Sequence, residues 1–134
     1  MSVLHLEIVC PDGELFSGEA KSILVTTDNG EVQILHGHAD LIATLKTGRA
    51  KLTLPDGTER LASASGGFVI VKGGDAKVVA TTFEFRDTID IERAKRAREA
   101  AEQKIRDAKD EREFAIAKAK LERAISRINV AGGK

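Results

Sequence analysis

The sequence predicts an α+β fold: an antiparallel β-sandwich or flattened barrel over residues 1–85, followed by an antiparallel two-helix hairpin over residues 86–134. Two observations support this prediction. Up to Phe85, short stretches alternate apolar and polar residues at intervals of about 8–12 residues, as the strands of antiparallel sheets do. From Ile89 onward the chain is rich in alanine, arginine, lysine and glutamate, a composition that favours helix.

Turn residues separate the predicted strands. The first strand, LHLEIV, places Leu4, Leu6 and Ile8 on one face, and a PDG turn and a short ELFSG segment follow it. Glycines in the DNG turn at residues 28–30 and the PDG turn at residues 55–57 can adopt the positive φ values that tight hairpins need. Further strands are expected in AKSILVTT, GEVQIL, RAKLTL, TERLAS, GFVIV and AKVVATTF.

The predicted helices have narrow apolar stripes and are separated by the charged segment 106–113. Asp90 stands where an N-cap of the first helix would lie. Because alanine buries little area, we expect the hairpin to need the sandwich, a ligand or a partner for stability. The stripes are Ile91, Ala94, Ala97, Ala101, Ile105 and Ala108 in the first helix, and Phe114, Ala117, Leu121, Ala124, Ile125 and Ile128 in the second.

Charge is unevenly distributed along a chain whose formal net charge is zero. Residues 1–85 carry 7 basic and 11 acidic side chains, whereas residues 86–134 carry 14 basic and 10 acidic ones. We therefore expect the hairpin to meet acidic surfaces or anionic ligands. Its single aromatic residue and interspersed acids argue against nucleic acid. No apolar run approaches the ~20 residues of a membrane span, and the start lacks the features of a secretory signal, so a location in the cytosol or at a cytosolic face is expected.

The sequence contains no recognisable catalytic motif. It has no glycine-rich loop ending in Gly-Lys-Ser/Thr and no Gly-x-Ser-x-Gly elbow. His36, His38 and Asp40 have a spacing that could present metal ligands, but without a second cluster we expect their loop to form a protein contact surface. Cys10, the only cysteine, is expected to be a small core residue.

Four stretches together resemble the epsilon subunit of F-type ATP synthases: PDGELFSGEA, GEVQILHGHADL, SGGFVIV and IDIERA, in the order and spacing of that family. The resemblance implies a ten-stranded β-sandwich that binds the gamma subunit and the c-ring, coupling proton flow to rotation. It implies a non-catalytic subunit, peripheral at the cytoplasmic face of the cell membrane and in contact with the membrane only through the complex. Partner contacts are expected at Glu31, His36, His38 and Asp40, although Gln33 and Asp40 depart from the residues usual in the family.

The resemblance also implies a regulatory hairpin. Folded onto the sandwich, the hairpin permits turnover; extended, it reaches the alpha and beta subunits and inhibits ATP hydrolysis. No cofactor is required, but the folded form of some members binds ATP, alone or with Mg²⁺, through a motif Ile/Leu-Asp-x-x-Arg-Ala. A further arginine of the binders falls at Ala100 in this chain, with Arg96 and Arg98 close by. The positions that match the family's nucleotide site are Glu84, Ile89, Asp90, Arg93, Ala94, Arg123 and Arg127.

Two alternatives remain open from the sequence. The basic residues of the hairpin could form only salt bridges within and between its helices, each of which contributes a few tenths of a kcal/mol. The whole chain could instead be a free-standing binding module whose basic hairpin grips RNA or an acidic protein. That module would retain nucleic acid through purification and release it with salt, whereas a stalk subunit would co-purify with gamma. An enzyme ranks third, because no nucleophile, base and oxyanion donors can be assembled.

Overall fold

The computed structural model describes residues 2–133 and contains ten strands followed by two helices, which confirms the predicted fold class. A short 3₁₀ turn, Arg86–Thr88, joins the last strand to the helices. The strands are β1 (Leu4–Cys10), β2 (Gly13–Ala20), β3 (Ser22–Thr27), β4 (Gly30–Leu35), β5 (Leu41–Thr44), β6 (Gly48–Thr53), β7 (Glu59–Ser65), β8 (Phe68–Lys72), β9 (Asp75–Val79) and β10 (Thr82–Phe85). The helices are α1 (Ile91–Asp107) and α2 (Glu111–Ala131).

The strands form two five-stranded sheets, ordered β2-β1-β9-β8-β5 and β10-β7-β6-β3-β4. Between the named strands every pairing is antiparallel except that of β1 with β9, which is parallel and runs from His5 opposite Asp75 to Val9 opposite Val79. The N-terminal strand is thereby held between β2 and β9 rather than at an edge. This parallel pair is the one feature of the sheets that departs from the predicted antiparallel pattern.

Strand boundaries differ from the sequence pattern in three places. The segment AKVVATTF divides into β9 and β10, which belong to opposite sheets, because the chain crosses between the sheets at Ala80 and Thr81. The short ELFSG segment is part of the longer strand β2. Strand β5 was not predicted, since its four residues, LIAT, are too few to show an alternating pattern.

Aliphatic side chains from the facing sides of the two sheets form the core. Phe83 and Phe85 close one end in an edge-to-face contact, with ring centroids 5.3 Å apart. The guanidinium of Arg60 covers the outer side of this pair, 3.7 Å from the centroid of the Phe85 ring. The largest fully buried side chains of the sandwich are Leu4, Ile8, Ile23, Val25, Ile34, Leu52, Val69 and Val78. Cys10 is partly buried beside this core, and burial raises the pKa of its thiol.

Both helices begin at an aspartate N-cap. Oδ1 of Asp90 accepts a hydrogen bond from the Arg93 amide at 3.1 Å, as predicted, and Oδ1 of Asp110 accepts one from the Glu113 amide at 2.8 Å. The Glu113 carboxylate accepts a hydrogen bond from the amide of Lys109. This bond ties the three-residue connection 108–110 to the first turn of α2. No helix within residues 2–133 combines the length and the apolar character needed to cross a bilayer.

The helices contact each other through small side chains. Ala94 and Ala101 of α1 and Ala117 and Ala124 of α2 are buried. Larger members of the predicted stripes remain accessible, among them Ile91, Phe114 and Ile125, which are 37%, 46% and 37% exposed. Close approach of the alanines leaves these bulkier residues at the margins of the contact. The predicted stripes therefore do identify the sides on which the two helices meet. Within those stripes, however, only small residues are buried between the helices.

Gly67, in the SGGFVIV stretch, is required by both its conformation and its neighbours. Its φ is +86°, and a Cβ atom at this position would lie 1.8 Å from the carbonyl oxygen of Val79. Gly57, in the β6–β7 turn, has a similar φ of +90° but nothing within 4 Å of its Cβ position. A substitution at either glycine strains the backbone, but only a substitution at Gly67 also causes steric overlap. Comparing the two therefore distinguishes these two costs.

We predict that Gly67→Ala lowers the free energy of unfolding by about 1–3 kcal/mol more than Gly57→Ala does. Both variants bear the left-handed backbone cost, but only the first must also displace the backbone at Val79. Denaturant unfolding of the two variants beside the unaltered chain measures the difference. Equal destabilisation would mean that the β8–β9 region accommodates the methyl group without strain.

Candidate ligand site between the hairpin and the sandwich

Two side-chain contacts fix helix α2 on the outer face of the second sheet. The hydroxyls of Ser63 and Ser126 are 2.7 Å apart and both residues are buried. Nε of Arg127 donates to Oε1 of Glu84 at 2.5 Å. Ser63 and Glu84 are paired across β7 and β10, while Ser126 and Arg127 are consecutive in α2, so the two contacts lie side by side. Together they set the position of α2 along the sheet.

A basic residue lies near the C-terminal end of α2. The last turn of this helix carries no basic residue, although a cation is favoured at the negative end of the helix dipole. Arg86, from the 3₁₀ turn, places a positive charge near this end. Its guanidinium nitrogen Nη2 lies 3.7 Å from the point where a Cβ atom on Gly133 would be. A basic residue of the junction therefore lies near the C-terminal end of α2, where a positive charge is favourable.

A cavity of about 360 Å³ lies beside these contacts, where the sandwich and both helices meet. Such a volume is typical of small-molecule sites. Glu84 comes from β10, Arg93 from α1 and Arg127 from α2. Because each element contributes a wall, the cavity requires α2 to be docked on the sandwich and α1 to be packed beside α2. Its lining residues are Glu84, Thr88, Ile89, Asp90, Arg93, Ala94, Ala97 and Arg127.

Six of the seven residues proposed from the sequence for a nucleotide site line this cavity, and Arg123 does not. Arg123 is partly buried on α2, one helical turn before Arg127. Sequence reasoning missed Thr88 and Ala97. Thr88 directly precedes the IDIERA motif and Ala97 follows Arg93 by one turn, so a search one turn beyond the motif would have found both.

The cavity combines two guanidinium groups with two carboxylates. Glu84 already neutralises Arg127, whose side chain is 26% exposed, and one oxygen of Asp90 is used in capping α1. Arg93 forms no ion pair within residues 2–133, so its guanidinium can receive an anion. Ile89, Ala94 and Ala97 add an apolar wall. This arrangement suits a ligand that has one anionic end and one flat, apolar part.

The four residues expected to contact partners each have a hydrogen-bond partner within the sandwich. Glu31, on β4, forms a two-point ion pair with Arg49 at 2.5 and 3.0 Å, and the Arg49 guanidinium holds the pKa of Glu31 below its ordinary value. Asp40 accepts a hydrogen bond from the Gly73 amide at 3.1 Å. Nδ1 of His36 lies 2.9 Å from the carbonyl oxygen of Val3, and Nδ1 of His38 lies 2.7 Å from that of Ala39. A role of these four residues in partner contact stays a prediction.

These histidines do not form part of a metal site in the structure. Across residues 2–133 no group of three or more His, Cys, Asp or Glu side chains is arranged to hold a metal ion. A carbonyl oxygen only accepts hydrogen bonds. Nδ1 of His36 and Nδ1 of His38 must therefore each carry a proton to donate to the carbonyl oxygens beside them.

Two family models match consecutive parts of the chain. The model described as the ATP synthase Delta/Epsilon chain beta-sandwich domain covers residues 3–86, and that of the Delta/Epsilon chain long alpha-helix domain covers residues 87–132. The chain is 38% identical over 133 residues to the ATP synthase epsilon chain of Halalkalibacterium halodurans, covering 98% of this chain and 99% of that one. It is also 38% identical to the ATP synthase epsilon chain of Levilactobacillus brevis, covering 97% and 95%.

Two solved structures share the fold at low sequence identity. A chain of the Euglena gracilis mitochondrial ATP synthase, solved as OSCP, F1 and c-ring, superposes with a TM-score of 0.84 at 23% identity, covering 98% of this chain and 82% of that one. A chain of the Tetrahymena thermophila mitochondrial ATP synthase, solved as central stalk and c-ring, gives a TM-score of 0.69 at 15% identity, covering 95% of each. These likenesses show that the sandwich and hairpin are arranged as in those chains.

The buried serine pair predicts a specific pattern of stability. Ser126→Ala leaves the Ser63 hydroxyl buried without a partner, which costs about 1–3 kcal/mol. The double variant Ser63→Ala, Ser126→Ala removes both polar groups and should recover part of that loss. Hydrogen exchange of the α2 amides, together with denaturant unfolding, measures the cycle. A double variant as unstable as the sum of the two single variants would show that the hydroxyls do not act as a pair.

Proposed function

The chain belongs to the Delta/Epsilon chain family of ATP synthases, and from this premise we propose that it is the central-stalk epsilon subunit of a bacterial F-type ATP synthase with an ATP-sensing hairpin. In this role the sandwich binds the gamma subunit and rests on the c-ring, coupling proton flow to ATP synthesis. The subunit is non-catalytic and peripheral, at the cytoplasmic face of the cell membrane. Full-length similarity to bacterial epsilon chains supports the assignment.

The observation that carries ATP sensing is the composition of the cavity. Glu84 of the sandwich, Arg93 of α1 and Arg127 of α2 come together there only while the hairpin is docked. A ligand that binds this arrangement and no other shifts the equilibrium toward the docked form. The shift amounts to about 2.7 kcal/mol at a hundredfold excess of ligand over its Kd. A contact made of alanines and a few polar pairs is weak enough for such a shift to decide the state.

ATP fits the chemistry of the lining. Arg93 offers a guanidinium without an ion-pair partner to the phosphates, and Arg127 can turn from Glu84 toward the same oxygens. Glu84 then accepts a hydrogen bond from an amino group of the base. Ile89, Ala94 and Ala97 provide an apolar surface for the purine ring. ATP enters alone or with Mg²⁺, as a regulatory ligand rather than a cofactor.

Release of the hairpin provides the inhibitory form. Undocking exposes Ser126, and separation of the helices in the extended form exposes the alanines buried between them, so that both become available to other surfaces. The excess of basic side chains in residues 86–134 suits acidic segments of the alpha and beta subunits, and the apolar stripe suits gamma. Docked, the hairpin permits turnover; extended, it blocks ATP hydrolysis.

We predict that the isolated chain binds ATP saturably at millimolar concentration and that Arg93→Ala weakens this binding about tenfold or more. A hydrogen bond to a charged group contributes about 1.5–3 kcal/mol, which corresponds to this loss. Isothermal titration calorimetry with ATP, Mg-ATP and ADP measures the effect. The matched control is Arg96→Ala, which removes the same charge from an exposed position of α1 outside the cavity. If the unaltered chain gives no saturable heat, the cavity is not a nucleotide site.

In the assembled enzyme, deleting residues 87–134 should raise ATP hydrolysis several-fold under conditions that favour inhibition, because the inhibitory segment is gone. The remaining sandwich should still co-purify with gamma, since its strands and core do not include the hairpin. Steady-state ATPase assays and gel filtration measure the two outcomes. Unchanged hydrolysis would contradict a regulatory role for the hairpin, and loss of gamma binding would contradict the proposed role of the sandwich.

A further inference from the structure

A second cavity lies at the junction between the sandwich and the hairpin and is named here the junction cavity. Its volume is about 680 Å³, which falls within the range of small-molecule sites. Its walls come from β7, the 3₁₀ turn, the start of α1 and the end of α2. Ile89 lines both this cavity and the candidate ligand site described above. The two cavities are therefore neighbours with different linings.

The junction cavity has one positive charge more than its carboxylates balance. Asp87 lies 3.7 Å from Nη2 of Arg60, and Glu59 lies 3.4 Å from Nζ of Lys51. Within residues 2–133 Arg86 forms no ion pair. The unpaired guanidinium of Arg86 suits an anion with a single charge, because the two carboxylates oppose the entry of further negative charge.

Arg60 is held in place with hydrogen-bond donors to spare. Its guanidinium carbon lies 3.7 Å from the centroid of the Phe85 ring, so one face of the group rests on the aromatic end of the core. Its separation of 3.7 Å from Asp87 is longer than a hydrogen bond. N–H groups at the edge of the guanidinium therefore remain for a ligand, and a side chain that is already positioned loses little entropy on binding.

Aliphatic side chains complete the walls. Leu61 is two residues from Ser63, so it lies on the face of β7 that receives α2. Ile91, the first residue of α1, is 37% exposed, and Ala131 is the last residue of α2. A ligand that covers these side chains removes apolar surface from water, which favours binding. The junction cavity thus combines two guanidinium groups with an aliphatic surface.

We propose that the junction cavity binds a small monoanionic carboxylate with an aliphatic body, such as a short fatty acid, and that this ligand stabilises the docked hairpin. The planar carboxylate accepts hydrogen bonds from Arg60 and Arg86, since guanidinium matches the geometry of such a group. The aliphatic body lies against Leu61, Ile89 and Ile91. The inference goes beyond the proposed function, because it requires neither ATP nor the first cavity.

The effect on the hairpin follows from where the walls come from. Arg60 and Leu61 belong to the sandwich, whereas Ile91 and Ala131 belong to the two helices. Lifting α2 from the sheet removes the helical walls of the cavity. A ligand that binds only the docked form shifts the equilibrium toward that form, whatever occupies the first cavity.

The test titrates sodium octanoate, below its micellar concentration, into the full chain. Octylammonium chloride is the control ligand, since it has the same alkyl chain and the opposite charge. We expect saturable calorimetric binding of octanoate and weaker binding of octylammonium. Arg86→Gln and Ile91→Gln should each weaken octanoate about threefold or more, the first through lost hydrogen bonds and the second through lost apolar contact. Octanoate should also slow hydrogen exchange of the α2 amides in the unaltered chain.

Two further variants serve as matched controls. Arg112→Gln removes the same charge from an exposed position in the first turn of α2, outside both cavities, and should leave octanoate binding unchanged. Arg93→Ala, which is expected to weaken ATP binding, should also leave octanoate binding unchanged. Hydrogen exchange of ligand-free Arg86→Gln checks that its hairpin stays docked, and Ile91→Gln tests the site with the charge of Arg86 in place.

The outcomes separate the junction cavity from the nucleotide site. Absence of saturable octanoate binding, or equal binding of octylammonium, would overturn the carboxylate site and leave ATP sensing intact. Equal weakening in Arg112→Gln would also overturn it, since that result reflects general charge. Binding that does not slow exchange in α2 would overturn the stabilisation of the docked hairpin. Octanoate binding that depends on Arg86 and Ile91 in a chain that does not bind ATP would support the junction cavity while refuting the nucleotide site.

Discussion

The contact between α2 and the pair β7–β10 sets where the hairpin lies on the sandwich. It includes two adjacent polar pairs, Ser63 with Ser126 and Glu84 with Arg127. The serine pair is buried and satisfies both hydroxyls, so any shift of α2 along the sheet would leave them unpaired. The ion pair is partly exposed and contributes less to stability, but it positions Arg127 at the edge of the cavity. The candidate ligand site is thus a direct result of how the helix is held.

The interface between α1 and α2 buries little apolar surface, because small side chains form it. Alanines meet between α1 and α2, which permits close approach but removes little apolar area from water. The sandwich, by contrast, is filled with valine, isoleucine and leucine from both sheets. The chain therefore joins a firmly packed body to an appendage whose docked state depends on a few specific contacts. That difference in packing is what the proposed exchange between two hairpin positions requires.

Much of the fold could be predicted because its signals are local. Alternation located most strands, the apolar stripes located both helices, and Asp90 located the cap of the first. The parallel pairing of β1 with β9 and the crossing between sheets at Ala80 and Thr81 could not be predicted, since they depend on contacts far apart in sequence. The cavity shows the same division. The motif residues lie near one another in the chain, whereas the presence of Arg127 in the lining, with Arg123 one turn outside it, depends on where α2 lies along the sheet.

The parallel pairing of β1 has a consequence for the order in which the chain becomes structured during synthesis. The first strand acquires its inner neighbour only when residues 75–79 are available, so the first sheet stays incomplete until nearly the whole sandwich has been made. Contacts this distant in sequence form slowly, and until then the edge of β1 that will pair with β9 lacks its partner. Residues 82–85 emerge next and complete the second sheet beside β7. The surface that receives α2 is therefore finished shortly before the helices themselves leave the ribosome, so the hairpin can fold directly onto its site.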